Sequence, residues 1–199
     1  SFRNPSRIFQ SERRIKLCGS GGQGVLSLGY MLATMGKLRN FNVSWLPSYG
    51  PEMRGGTANC SVVLSRNPIG SPVVDKECNL LIALNQPALE KYLPTLKRNG
   101  ILLYDESNGS CPEEVQERVI YTLPASDLAK QLGDLKYANS VLLGAVAVMM
   151  CDLFLEDKAD FDRVFEEAIM DCFHEKEHVV KNNIKAFYIG KANARRIRN

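Results

Sequence analysis

The chain has 199 residues, of which 45% are hydrophobic and 24% charged, with a formal net charge of +3. That is enough apolar material for one well-packed domain, and too short a chain for two of ordinary size. So mild a charge gives no nucleic-acid footprint, and the longest apolar run, residues 141–151, is too short to span a bilayer.

Residues 1–12 are polar and basic and read as a loose lead-in, without the apolar centre of a secretory signal. Residues 14–18 have the pattern of a buried strand. Gly19-Ser20-Gly21-Gly22-Gln23-Gly24 follows directly. A helix is then predicted over 25–36, with Val25, Leu28, Met31 and Leu32 on its buried side and Gly36 as its cap. Glycines where a strand turns into a helix allow positive φ and let the backbone lie close to a ligand. The unpaired N–H groups of the first helical turn face that gap, with the positive end of the helix dipole behind them. In outline this is an anion site, most often for phosphate or pyrophosphate.

Residues 41–46 read as a second strand. After it comes Pro47-Ser48-Tyr49-Gly50-Pro51-Glu52-Met53-Arg54-Gly55-Gly56, where two prolines and three glycines rule out regular structure. In a parallel sheet this loop leaves the same edge as residues 19–24, the edge where ligands bind. Arg54, with Gly55 beside it, suits a phosphate or carboxylate, or a carboxylate across a subunit contact. Tyr49 can stack or hydrogen-bond, and Ser48 opens the loop.

Residues 57–65 alternate as a strand, and 80–84 form the continuous apolar run of a strand covered on both faces. Pro87 opens a helix to about residue 98, and strands follow at 101–105 and 119–121. Residues 125–132, 139–155, 161–173 and 179–194 read as successive helices. The sum is a single α/β domain over 1–199, three-layered and Rossmann-like, with a mostly parallel sheet and a helical C-terminal half.

Gly19, Gly21 and Gly24 satisfy G-x-G-x-x-G, but no Asp or Glu lies between Glu12 and Glu52 to hold a ribose. NADP could use Arg39 instead, though nothing in the sequence positions that residue, and no Lys-Ser or Lys-Thr follows the glycines to make a Walker A loop. The turn thus serves a non-dinucleotide anion, a nicotinamide cofactor in a free-standing NAD(P)-binding oxidoreductase, or helix–strand packing with no ligand. Elsewhere the chemistry is thin. The six cysteines are scattered without a C-x-x-C pair, which reads as reduced thiols in a cytoplasmic protein with no iron–sulfur or zinc site of its own. His174-Glu175-Lys176-Glu177-His178 matches H-E-x-x-H, yet the positions between the histidines are charged and no further ligand type follows. A solvated helix end explains it. The tail with Lys191, Arg195, Arg196 and Arg198 reads as a C-terminal helix end favoured by the helix dipole.

Two loops together carry a resemblance. Gly19-Ser20-Gly21-Gly22-Gln23-Gly24-Val25 and Tyr49-Gly50-Pro51-Glu52-Met53-Arg54-Gly55-Gly56, with Asp75, residues 80–84, and Asn139 before Leu142-Leu143-Gly144-Ala145, closely resemble the gamma subunit of the 2-oxoacid:ferredoxin oxidoreductases over residues 14–190. The Pro-Glu-Met-Arg-Gly-Gly form is similar to the 2-oxoglutarate and branched-chain (ketoisovalerate) types. The resemblance implies oxidative decarboxylation of a 2-oxoacid with coenzyme A, giving acyl-CoA, carbon dioxide and two electrons for ferredoxin. It implies alpha, beta and ferredoxin-like delta partner subunits that carry thiamine diphosphate, magnesium and iron–sulfur clusters. It also implies a homodimer contact, and no catalytic or metal-binding residue in this chain. On this analogy the chain covers the active site and helps bind coenzyme A. Gly19, Gly21, Gly22, Gln23 and Gly24 would cradle a phosphate, and Ser48, Tyr49, Arg54 and Gly55 would close over an anion.

Overall fold

The computed structural model describes residues 12–20, 24–48, 57–113, 118–154, 161–174 and 176–198, the side chains of 151–154 and 198 excepted. The lead-in over 1–11 lies outside the described residues. In chain order the elements are β1 (Glu12–Ser20), α1 (Val25–Leu38), β2 (Asn42–Ser48), β3 (Thr57–Ser65), β4 (Cys78–Ala83), α2 (Gln86–Tyr92) and β5 (Leu96–Asp105). Then come β6 (Val119–Leu123), α3 (Ala125–Leu132), α4 (Ala138–Phe154), α5 (Phe161–Cys172), α6 (Glu177–Asn193) and β7 (Arg195–Arg198).

The seven strands form one sheet in the order β2-β3-β1-β4-β5-β6-β7. β1, β4, β5 and β6 pair in parallel. β3 runs antiparallel between β1 and β2, and β7 runs antiparallel to β6. Five strands therefore point one way and two the other. Alternation along β1 sends Ile15 and Leu17 to one face and Lys16 and Cys18 to the other. The first face packs against α1, α3, α4, α5 and α6, while α2 and the segment around Val74 cover the second. This is the expected three-layer α/β arrangement.

α4 is the centre of the larger layer. Val141, Leu142, Leu143, Ala145, Val146 and Met149 are all fully buried, and a helix that is apolar all round must be surrounded. Among the described residues no helix is long and apolar enough to cross a membrane. α6 lies against α4 through two glycines. A Cβ on Gly190 would run into the Val141 carbonyl, and one on Gly144 into the Phe187 carbonyl.

Three local expectations need correction. Gly36 does not cap α1, which runs on to Leu38; it lies inside the helix against Leu64 and Val43, where a Cβ would not fit. The helix opened by Pro87 stops at Tyr92 rather than near residue 98. Pro94, which has no N–H to donate, sits in a short 3₁₀ turn over Leu93–Thr95, and β5 begins at once. The basic tail is not a helix end: after Asn193 the chain turns and Arg195–Arg198 pairs with β6. In the sheet β3 is inserted between β1 and β2.

Lys16 sits 6% exposed, donates to Ser61 Oγ at 3.3 Å and lies over the Tyr92 ring at 5.4 Å. Burial pushes its pKa below the ordinary lysine value of 10.5. The unfolded chain therefore binds more protons between the lowered value and 10.5, and folding stability gains as pH rises through that window. Lys16→Met removes this component. In urea unfolding at pH 7 and pH 10, the wild type's midpoint relative to the variant is expected to shift upward at pH 10. For the helix crossing, Gly190→Ala is expected to cost about 3 kcal/mol, because two backbones would have to separate. Chemical denaturation with an unchanged slope measures it.

Candidate functional site at the head of the first helix

Register brings the two loops to one edge of the sheet. Cys18 pairs with Asn59, and Asn59 pairs on its other side with Ser48, so the end of β2 shares a row with the end of β1. Ser20 pairs with Thr57. Both loops thus leave the same edge, two strands apart, or roughly 10 Å. Of the residues singled out in the sequence, the structure describes Gly19, Gly24 and Ser48. Gly21, Gly22, Gln23, Tyr49, Arg54 and Gly55 lie outside the described residues.

Gly24 is the N-cap of α1 and takes the left-handed conformation, φ 71° and ψ 30°. Its carbonyl accepts from Ser27 N at 3.0 Å and from Asn139 Nδ2 at 3.0 Å. A Cβ here would collide with the Asn139 amide, so backbone angle and space both demand glycine. Among the described residues no side chain caps α1, and its first turn has no acidic residue. The positive end of the helix is thus left to whatever lies in front of it.

Two buried side-chain polar atoms have no hydrogen-bond partner among the described residues: Asn139 Oδ1 and Thr57 Oγ1. They stand at the two ends of the glycine turn, Asn139 bonded to Gly24 and Thr57 opposite Ser20. An unmade bond on a buried acceptor costs about 1–3 kcal/mol, so each atom calls for a partner.

Asn139 faces a cavity of about 480 Å³ lined on one side by Gly24 and Ser27 and on the other by Asp105, Ser126 and Lys130. Leu84, Leu142 and Phe173 give it an apolar floor. It opens outside the C-terminal ends of β1 and β4. From β1 the chain passes through α1 on one face toward β2 and β3; from β4 it passes through α2 on the other toward β5. That is a topological switch point, where open α/β sheets hold ligands.

Asp105 builds the far wall. It is 2% exposed and accepts from Ser107 N at 3.0 Å, Asn108 Nδ2 at 3.1 Å, Ser126 N at 3.2 Å and Ser126 Oγ at 2.5 Å. With four donors on its two oxygens it anchors the start of α3. Lys130, further along α3, has no ion-pair partner among the described residues and gives the mouth a positive charge. Four of the cysteines are poor nucleophiles: burial raises the Cys18 and Cys78 thiols, Cys60 to about 12 and Cys172 to about 11. His174 lies in the turn before α6 and His178 in the first turn of that helix, so the H-E-x-x-H residues do not share one helix.

The geometry defines a class: an α/β domain whose uncapped helix head, glycine cap and adjoining cavity suit an anion with an apolar body. Comparison with known proteins makes this specific. The family model described as pyruvate ferredoxin/flavodoxin oxidoreductase matches residues 14–192, and the chain belongs to that family. It is 36% identical over 185 residues to ketoisovalerate oxidoreductase subunit VorA of Methanothermobacter marburgensis, covering 93% of this chain and 37% of VorA. The chain thus spans little more than a third of that relative. It is also 36% identical over 145 residues to 2-oxoglutarate synthase subunit KorC of Methanocaldococcus jannaschii, covering 70% of this chain and 76% of KorC. Among solved structures, the gamma subunit of a keto/oxoacid ferredoxin oxidoreductase from Geobacter sulfurreducens superposes with a TM-score of 0.75 at 28% identity, over 92% of this chain and 95% of that one. The 2-oxoglutarate:ferredoxin oxidoreductase from Magnetococcus marinus, with 2-oxoglutarate, coenzyme A and succinyl-CoA bound, gives 0.77 at 25% identity over 92% of this chain and 31% of that one.

Sequence reasoning valued Asn139 only as part of the resemblance, and it missed Asp105, Ser126 and Lys130. Asn139 is 115 positions from Gly24, and no local pattern reports a bond across that separation. Asn139→Leu removes an orphaned acceptor along with one hydrogen bond. Its expected cost is therefore only about 1 kcal/mol in urea unfolding. A loss above about 3 kcal/mol would mean that Oδ1 is bonded within the protein.

Proposed function

We propose that the chain is the gamma component of a thiamine diphosphate-dependent 2-oxoacid:ferredoxin oxidoreductase, and that the head of α1 with its cavity holds part of coenzyme A. The observation that carries this reading is the orphaned Asn139 Oδ1 beside an uncapped helix end in a cavity of about 480 Å³. A phosphate suits the helix end and Lys130, an amide N–H of the pantetheine arm suits Asn139 Oδ1, and the apolar floor suits the arm's methyl groups. The relative solved with coenzyme A and succinyl-CoA bound supports the choice of ligand.

In this reading the alpha, beta and ferredoxin-like delta subunits carry thiamine diphosphate, magnesium and the iron–sulfur clusters, and ferredoxin takes the electrons. Thiamine diphosphate supplies the decarboxylation chemistry. This chain covers the active site and holds the acyl acceptor in place. The VorA and KorC relatives favour a branched-chain 2-oxoacid or 2-oxoglutarate as substrate. The free-standing NAD(P) enzyme is disfavoured: β3 separates β1 from β2, so the strand that follows α1 does not lie beside β1 to present a ribose-binding acid.

In the assembled complex, Asn139→Leu is expected to raise KM for coenzyme A about tenfold, with KM for the 2-oxoacid unchanged, which corresponds to one lost polar contact. Arg54→Ala and Gly22→Val are expected to act in the same direction. Unchanged coenzyme A kinetics in all three variants would remove the ligand from this site.

A further inference from the structure

Besides Lys130, the cavity at the head of α1 is lined by Leu135 and Lys136, and all three residues are exposed. Lys130 stands in the last turn of α3, and Lys136 in a 3₁₀ turn over Leu135–Tyr137. Gly133, at φ 125°, turns the chain between them, and its N–H and that of Asp134 both bond the Ala129 carbonyl. The turn is fixed at both ends. Asp134 accepts from Lys136 N at 2.9 Å, and the buried Tyr137 accepts from Asn182 Nδ2 on α6 at 3.0 Å.

Neither ammonium group is firmly held by the protein. Lys130 has no ion-pair partner among the described residues, and Lys136 reaches Asp134 only at 3.7 Å, with their side chains 58% and 49% exposed. So well solvated a pair contributes little, and Lys136 stays available to a stronger anion. Leu135, beside Lys136, is 47% exposed and adds a flat apolar surface to the mouth.

We infer that Lys130, Lys136 and Leu135 make the site selective for the nucleotide end of coenzyme A: the two lysines take its 3′-phosphate and Leu135 seats its adenine. The inference rests on the coenzyme reading above and adds which part of the ligand each wall takes. The head of α1 offers backbone N–H groups and about half a positive charge, which suits the singly charged phosphates of the pyrophosphate. A phosphate monoester is close to dianionic at neutral pH and is better matched by two cations. Lys130 and Lys136 are two such cations at one cavity mouth. Asn139 Oδ1, in a residue 9% exposed and without a hydrogen-bond partner among the described residues, is then left to the pantetheine arm.

Isothermal titration of the assembled complex with coenzyme A and with 3′-dephospho-coenzyme A tests it. The wild type is expected to bind coenzyme A about thirtyfold more tightly than the dephospho form. Lys130→Gln combined with Lys136→Gln removes most of that preference by weakening coenzyme A alone, and the corresponding pair of arginine variants keeps it. Leu135→Asn weakens both ligands about threefold, since both carry the adenine. Asn139→Leu weakens both about tenfold and leaves their ratio unchanged. A wild type that binds the two ligands equally overturns the inference. So does a double glutamine variant that keeps the preference, or a Leu135→Asn variant that binds both as the wild type does. Equal weakening of both ligands by the glutamine pair gives the lysines to the pyrophosphate and overturns it too. If Asn139→Leu still weakens both ligands in those cases, the coenzyme reading stands without this inference. If none of the variants changes either affinity, both fall.

Discussion

The hydrogen bond from Asn139 Nδ2 to the Gly24 carbonyl is the constraint on which the rest of the site depends. It joins the head of α1 to the head of α4, the most buried helix of the molecule, and holds the glycine cap in its left-handed conformation. Because the amide nitrogen is committed to Gly24, the amide oxygen is committed to another direction. It is buried there without a hydrogen-bond partner among the described residues. The structure thus retains an unfavourable local feature at a position where a bound ligand would relieve it, as is common at functional sites.

The sheet explains why this arrangement falls where it does. Adjacent parallel strands whose connections leave on opposite faces must leave a crevice at their C-terminal ends. β1 and β4 are that pair, and the antiparallel insertion of β3 carries the second loop back to the same edge. Asp105 fixes the opposite wall by bonding the start of α3, which sets Lys130 at the mouth. Each element is ordinary, and the site comes from their registration.

Much of this was legible in the sequence. The strand–glycine–helix stretch at 14–36 announced both its fold and its polarity, because buried-strand patterning and helical periodicity abut there with only glycine between them. The continuous apolar run at 80–84 likewise declared a strand covered on both faces. What could not be read was non-local. Arg195, Arg196 and Arg198 look like a solvated helix end until β6 is seen to lack a neighbour on that side. Gly36 looks like a cap, yet it lies inside α1, packed against the Leu64 and Val43 side chains, where a Cβ would force them to shift. Asn139 is one polar residue in a helix, and its meaning comes from a glycine in another part of the chain.

Hydrogen–deuterium exchange on the assembled complex, with and without coenzyme A, tests the central claim most directly. The account predicts that saturating coenzyme A slows exchange at the amides of residues 24–28 and 138–142, while amides along β2 stay unchanged. Protection confined to other subunits, with both of those segments exchanging as before, would contradict it.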